Sequence, residues 1–142
     1  MNDTINTTTA PAPVGAYPHA RRVGNLLFLS GVGPRRPGDG TVPGNVYAGD
    51  GKLLSYDIAA QCTQVFANVR AVLEASGARC QDLLDVTVFL TDMAGDFATY
   101  NQLYAEHFAG VDACRTTVGI TALPTPIAIE LKCIAVCPAA TD

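Results

Sequence analysis

The chain has 142 residues, 49% of them hydrophobic and 15% charged, with a formal net charge of −4. That length suffices for one domain with a buried core, and the composition excludes an intrinsically disordered protein. The acidic balance argues against a broad phosphate-binding surface, and no stretch is long and apolar enough to span a membrane.

Residues 1–13 (MNDTINTTTAPAP) lack the basic start and apolar run of a secretory signal. They read as a mobile polar tail ahead of a single domain over 14–142, and the expected setting is cytoplasmic. Arg21–Val23 and Leu26–Ser30 flank the pair Gly24–Asn25, which predicts a hairpin. Glycine and proline then dominate from Gly31 to Gly51, a long loop of the kind that tends to carry function. Ile58, Cys62, Val65, Phe66, Val69, Val72 and Leu73 recur at helical spacing, with Ser55 or Asp57 as cap and Gly77 as stop. Asp85–Thr91 (DVTVFLT) predicts a buried strand. Asp96 is the expected cap of a second helix, with Phe97, Tyr100, Tyr104 and Phe108 on one stripe and Gly110 as stop. Two strands, Arg115–Thr121 and Ile127–Val136, close the chain around the turn LPTP. The order of elements predicts an α+β fold with both helices on one face of the sheet.

The terminal hairpin holds the strongest candidates for chemistry. In its second strand Ile127, Ile129, Leu131, Cys133 and Ala135 form an apolar face, leaving Glu130 and Lys132 on the other. A turn centred between Pro124 and Thr125 sets Gly119 opposite Glu130. Arg115, Thr117, Glu130 and Lys132 then project together from the helix-free side, a placement that a one-residue slip would break. Arg115 and Glu130 would sit roughly 13 Å apart at the backbone, so that their side chains reach a small acid from two ends. A guanidinium grips a carboxylate with a planar fork, and a half-buried carboxyl is tuned toward proton transfer near neutral pH. The alternative is a plain salt bridge of Glu130 with Arg115 or Lys132. Phe89 and Ile134 on the same bare face predict sheet-to-sheet packing between subunits.

Other side chains offer less. The five cysteines form no CxxC pair and the only histidines are His19 and His107, so no metal site and no cofactor are expected. Cys114 alternates away from Arg115 and has no evident histidine partner, which disfavours a thiol nucleophile. Arg35 and Arg36 read either as solvated loop residues or as a second anion clamp, beside Gly31 and Gly33 that let a ligand approach the backbone. Neither GxGxxG nor GxxxxGK[ST] is present.

LLFLSG (26–31), DFATYNQLYAEHF (96–108) and RTTVGITALPTPIAIELKCIAV (115–136) together resemble the RidA/YjgF reactive-intermediate deaminase family, over a span from about Tyr17 to Val136. The resemblance implies a chorismate-mutase-like mixed sheet with two helices on one face. It also implies a homotrimeric barrel, or a dimer of such trimers, with three ligand clefts between subunits. By similarity Arg115 grips the substrate carboxylate, Glu130 positions the hydrolytic water, and Tyr17, Ser30, Gly31 and Asn101 line the cleft. Many family members carry cysteine two residues after the arginine; here Thr117 takes that place, so no thiol chemistry is carried over. YPHARRVGNLLFLSG followed by PRRPGDGTVPG looks like the 2-aminomuconate deaminase branch, through its PHxxR and RRP elements. That branch implies a diacid substrate of aromatic-compound degradation, with His19, Arg35 and Arg36 near the second carboxylate. The expected reaction is cofactor-free hydrolysis of an enamine or imine to a 2-oxo acid and ammonia. A broad 2-iminobutanoate/2-aminoacrylate deaminase and a non-enzymatic metabolite-binding regulator are the alternatives. Neither nucleic acid nor membrane is an expected partner, and a nuclease fits poorly with the acidic balance.

Overall fold

A computed structural model of the chain describes residues 2–137. Its elements in order are β1 (Asn2–Ile5), β2 (Ala20–Val23), β3 (Leu26–Leu29), β4 (Val46–Tyr47), β5 (Leu53–Ser55), α1 (Ile58–Ala75), a single 3₁₀ turn (Cys80–Asp82), β6 (Leu83–Leu90), α2 (Met93–His107), β7 (Cys114–Gly119) and β8 (Ile129–Val136). Six strands form one sheet in the order β1-β2-β3-β8-β6-β7, and β4 pairs with β5 as a separate hairpin. Only β6 and β7 run parallel, as the crossover through α2 requires.

Helix α1 forms where the sequence predicts it. The Asp57 side chain accepts from the Ala60 N–H, and Cys62, Val65, Phe66, Val69, Val72 and Leu73 bury one face. They pack on Leu27 and Leu29 of β3, Val86, Val88 and Leu90 of β6, and Ile129, Leu131, Cys133 and Ala135 of β8, all buried. Each of the Val, Leu, Ile and Phe side chains among them contributes about 1.5–3 kcal/mol on burial, as an upper figure. Among the described residues no helix is long and apolar enough to cross a membrane. The result is the expected α+β architecture, two helices on one face of a mixed sheet.

Four expectations are corrected. Residues 1–13 are not a free tail over their described part: β1 adds to the sheet edge beside β2, and Ala10 is buried, because the open backbone edge of β2 takes Asn2–Ile5 as a further strand whatever their side chains. (Met1 and residues 138–142, the ends of the two expected segments, lie outside the described residues.) The Gly31–Gly51 loop runs into the β4–β5 hairpin, too short to show as periodicity. Gly44 there has φ +82, and a β-carbon on it would come within 2.5 Å of the Asp57 Cβ, so the loop meets the α1 cap through a glycine. The second helix begins at Asp92, whose side chain accepts from the Gly95 N–H. Asp96 sits inside the first turn and accepts from the Tyr56 hydroxyl at 2.7 Å.

The fourth correction reaches the site. β7 and β8 are not a hairpin: β6 lies between them, parallel to β7 and antiparallel to β8. The more apolar β8 takes an interior place, while β7, with Cys114, Arg115 and Thr116 exposed, forms the sheet edge. Arg115 aligns with Val86 and Cys133, whereas Glu130 aligns with Phe89 and Val118. Val86 and Cys133 are buried under the helices, so Arg115 and Thr117 point to the helix side and Glu130 to the other.

Candidate active site

Glu130 stands on the helix-free face at the end of β8 where β3 has run out and the chain turns into the glycine loop. Val32 bridges Leu131 through two backbone hydrogen bonds, which brings Gly31 against the Glu130 carboxylate. A β-carbon at Gly31 would lie 2.9 Å from Oε2 and 3.0 Å from Cδ, so only glycine leaves the carboxylate where it is. Tyr17, Gly31, Gly33, Arg35, Thr125, Ile127 and Glu130 line an open pocket with a cavity volume of about 50 Å³. It abuts a second pocket, of about 40 Å³, that adds Ser30, His19 and Pro11. Burial alone pushes the Glu130 carboxyl above its ordinary value. The salt bridge with Lys132 is not made: the Lys132 ammonium donates to the Leu29 carbonyl oxygen.

The expected ligand-binding residues of this half divide by what already holds them. The Tyr17 hydroxyl accepts from the Val14 N–H and the ring stays exposed to the pocket. The Ser30 hydroxyl donates to the Pro18 carbonyl at 2.7 Å. His19 is engaged at both ring nitrogens, Nδ1 accepting from the Thr7 N–H and Nε2 donating to the Pro11 carbonyl. It clasps the N-terminal segment that walls the second pocket, whose lining it shares. Arg35 donates to the Ala12 carbonyl and lines the Glu130 pocket with no carboxylate in salt-bridge range among the described residues. Arg36 lines a neighbouring groove together with Arg35, Asp39 and Tyr47, and donates to Thr41 Oγ1. Of the two arginines only Arg35 also lines the Glu130 pocket.

Arg115 belongs to a second group, on the helix side of the β7 edge. Its guanidinium carbon lies 5.2 Å from the Tyr100 ring centroid and 4.8 Å from that of Tyr104. Thr117 Oγ1 is 3.1 Å from the Tyr100 hydroxyl. Asn101 follows Tyr100 on α2 and is exposed. Cys114 faces the opposite side from Arg115, as alternation along β7 demands. Two strand spacings and three residues of offset separate Arg115 from Glu130, roughly 14 Å at the backbone, and their side chains diverge. One chain therefore presents two half-sites, with the carboxylate in one and the cation in the other.

Sequence reasoning missed the residues that hold these groups. Asn68 is buried on α1 and donates to the Gly33 and Arg35 carbonyls at 2.8 and 2.7 Å, fixing the loop that carries Arg35. Gln61, two turns earlier, bonds Asn45 and the Ala128 N–H. Two amides on an otherwise apolar helical stripe were the available signal. Tyr100 and Tyr104 were visible as part of the apolar stripe, and nothing local showed that they meet Arg115. Among the described residues no group of His, Cys, Asp and Glu could hold a metal ion.

Compared with known proteins, residues 7–137 match the family described as Endoribonuclease L-PSP. The chain belongs to this family, the RidA/YjgF reactive-intermediate deaminases. It is 38% identical over 135 residues to a RutC family protein of Pyrococcus horikoshii, covering 95% of this chain and 98% of that one. It is 37% identical over 139 residues to the 2-iminobutanoate/2-iminopropanoate deaminase of Escherichia coli K12, covering 96% and 98%. The crystal structure of the YjgF gene product from E. coli superposes with a TM-score of 0.80 at 36% identity, covering 94% of this chain and 98% of that one.

Proposed function

We propose that the protein is a hydrolytic deaminase of short 2-imino acids and their enamine tautomers, acting on the C–N bond without a cofactor. The observation that carries this reading is Glu130: a half-buried carboxyl in an open pocket beside the glycine loop, raised by desolvation and bound to no other group among the described residues. Such a group is available to take a proton from water and return it to a leaving amine. The E. coli relative named for 2-iminobutanoate and 2-iminopropanoate supports a short-chain imino acid as substrate.

In the proposed reaction the enamine first tautomerises to the imine. Glu130 accepts a proton from water as it adds to the carbon of the protonated imine, giving a neutral carbinolamine. The carboxyl then protonates nitrogen, and as the C–N bond breaks the carbinolamine hydroxyl gives its proton back to the Glu130 carboxylate, releasing a 2-oxo acid and ammonia. Arg115 neutralises the substrate carboxylate and fixes the reacting carbon beside the water. Since the two half-sites of one chain diverge, the site forms between copies, Glu130 from one and Arg115 from its neighbour. Val23, Leu26 and Phe28 on the helix-free face, each more than a third exposed, are the apolar surface that a trimeric barrel would cover.

A narrower reading takes 2-aminomuconate as substrate. Arg35 favours it, as a guanidinium without an acidic partner in the Glu130 pocket, placed to receive a second carboxylate. The name of the matched family points to RNA, but the net charge of −4 weighs against a polyanionic substrate.

The test is ammonia release from 2-iminobutanoate generated in solution. Glu130→Gln and Arg115→Ala should each lower kcat/KM by about a hundredfold or more. Full activity in either variant overturns the assignment of that residue. A preference for the diacid that Arg35→Ala abolishes would select the narrower reading.

A further inference from the structure

We infer that Tyr100 and Tyr104 are positioning residues for this reaction, a two-ring platform that holds the Arg115 guanidinium in place at the sheet edge for an incoming carboxylate. The inference rests on the deaminase reading above. Arg115 lies on an exposed edge strand, and a free arginine there would sample many rotamers and lose that freedom on binding. A fixed arginine binds at lower cost.

Proteins usually fix a guanidinium with a carboxylate, but that partner would compete with the substrate for the same N–H donors. Here no acidic side chain lies within salt-bridge distance of Arg115 among the described residues. The guanidinium instead lies at 4.8 and 5.2 Å from two ring centroids, themselves 6.0 Å apart and inclined at 58°. Aromatic faces attract the cation through the ring quadrupole without a competing carboxylate, and the Tyr100 hydroxyl accepts a hydrogen bond from the guanidinium.

The platform is itself immobile. Tyr100 is fully buried, and its hydroxyl meets Thr117, which shares a face of β7 with Arg115. The ring is thereby tied to the strand that carries the cation. Tyr104 is wedged between Phe66 and Phe108, at centroid distances of 6.1 and 4.8 Å. Burial keeps both phenols neutral: the Tyr104 hydroxyl is pushed up to about 12, and that of Tyr100 is raised. Neutral rings, with the neutral Tyr100 hydroxyl, are what act on Arg115. A lysine at 115 has no planar group to lie against the rings, so the platform favours arginine over lysine there.

The experiment compares Tyr104→Leu and Tyr104→Phe, alone and with Arg115→Ala, using 2-iminobutanoate turnover and calorimetric binding of 2-oxobutanoate, with Tm as a control on folding. Tyr104→Leu should raise KM about tenfold and weaken 2-oxobutanoate similarly, with kcat changed no more than about threefold. Tyr104→Phe should restore the wild-type KM, because the ring is retained. In the Arg115→Ala background Tyr104→Leu should cost nothing further. Equal losses in both backgrounds, or a Phe variant as impaired as Leu, would overturn the proposal. If Arg115→Ala keeps full turnover, the role of Arg115 in deamination has failed, and the platform is read by NMR instead. The Arg115 Nε–H signal should then be slowly exchanging in the wild type and fast in Tyr104→Leu; no difference would refute the platform itself.

Discussion

Glu130 carries a conflict between stability and chemistry that substitution can expose. Burial raises its folded-state pKa, so the fold favours the protonated form. The corresponding stability is fully present below the unfolded-state value of about 4.3 and is lost as pH rises through the raised folded value. Glu130→Gln, which ionises at no pH, should raise the Tm at pH 8, and the gap should close in thermal scans taken below about pH 4. Turnover has the opposite sign. The base form disappears as pH falls through the raised value, so the acid limb of the wild-type kcat/KM profile should lie above the ordinary carboxylate range. A limb at the ordinary value would mean that Glu130 is solvated in the working enzyme. Gly31→Ala probes the same group sterically. The clashing atoms belong to the mobile end of a side chain, so Tm should stay within about 2 °C while displacement of the carboxylate lowers kcat by about tenfold. At this scale the sequence was half legible. Alternation in β8 placed Glu130 on the helix-free side correctly, because that strand buries every second residue. Arg115 was identified but assigned to the wrong face, because its facing depends on a strand thirty residues away, Leu83–Leu90, that inserts between the two.

At the scale of elements, the glycine loop is held by α1 as well as by its own turns. Asn68 satisfies two loop carbonyls from inside the core, and Gln64 in turn donates to Asn68 Oδ1. Asn68→Leu keeps the bulk but orphans the Gly33 and Arg35 carbonyls, at a cost of about 2–3 kcal/mol. Urea unfolding should show the midpoint falling with the slope unchanged. An unchanged midpoint would mean that the loop finds other donors. The elements with long apolar periods, α1, α2 and β6, were readable from spacing, as was the β2–β3 hairpin at Gly24–Asn25. Those that failed were short or polar. β1 reads as a threonine-rich tail until β2 supplies an edge, and β4 is only two residues long. The start of α2 was misread because Asp92 and Asp96 both precede the aromatic stripe. The cap went to the residue with an N–H in reach, and the other became the buried partner of Tyr56.

For the whole molecule, the divergence of Arg115 and Glu130 within one chain makes a quantitative demand on the assembly. If a cleft takes its cation from one copy and its carboxylate from the next, Arg115→Ala and Glu130→Gln are each inactive alone but complementary together. A Glu130→Gln chain still supplies Arg115, and an Arg115→Ala chain still supplies Glu130. Co-expressed in equal amounts and assembled at random, they build an intact cleft wherever the right neighbours meet, a chance of one half times one half. The mixture should therefore recover about one quarter of wild-type kcat per site, although neither parent turns over. Placing both substitutions in one chain and mixing it with wild type separates this from simple dilution. Active clefts then require two adjacent wild-type copies, again about one quarter of the total, but with none gained over the wild-type component's own share. Activity that stays at the parental level in the first mixture, in oligomers shown to contain both chains, would mean that catalysis does not join the two half-sites. The exposed Val23, Leu26 and Phe28 tie this test to packing, since replacing them with polar residues should dissolve the oligomer and the recovered activity together, while α1 and α2 keep the core on the other face.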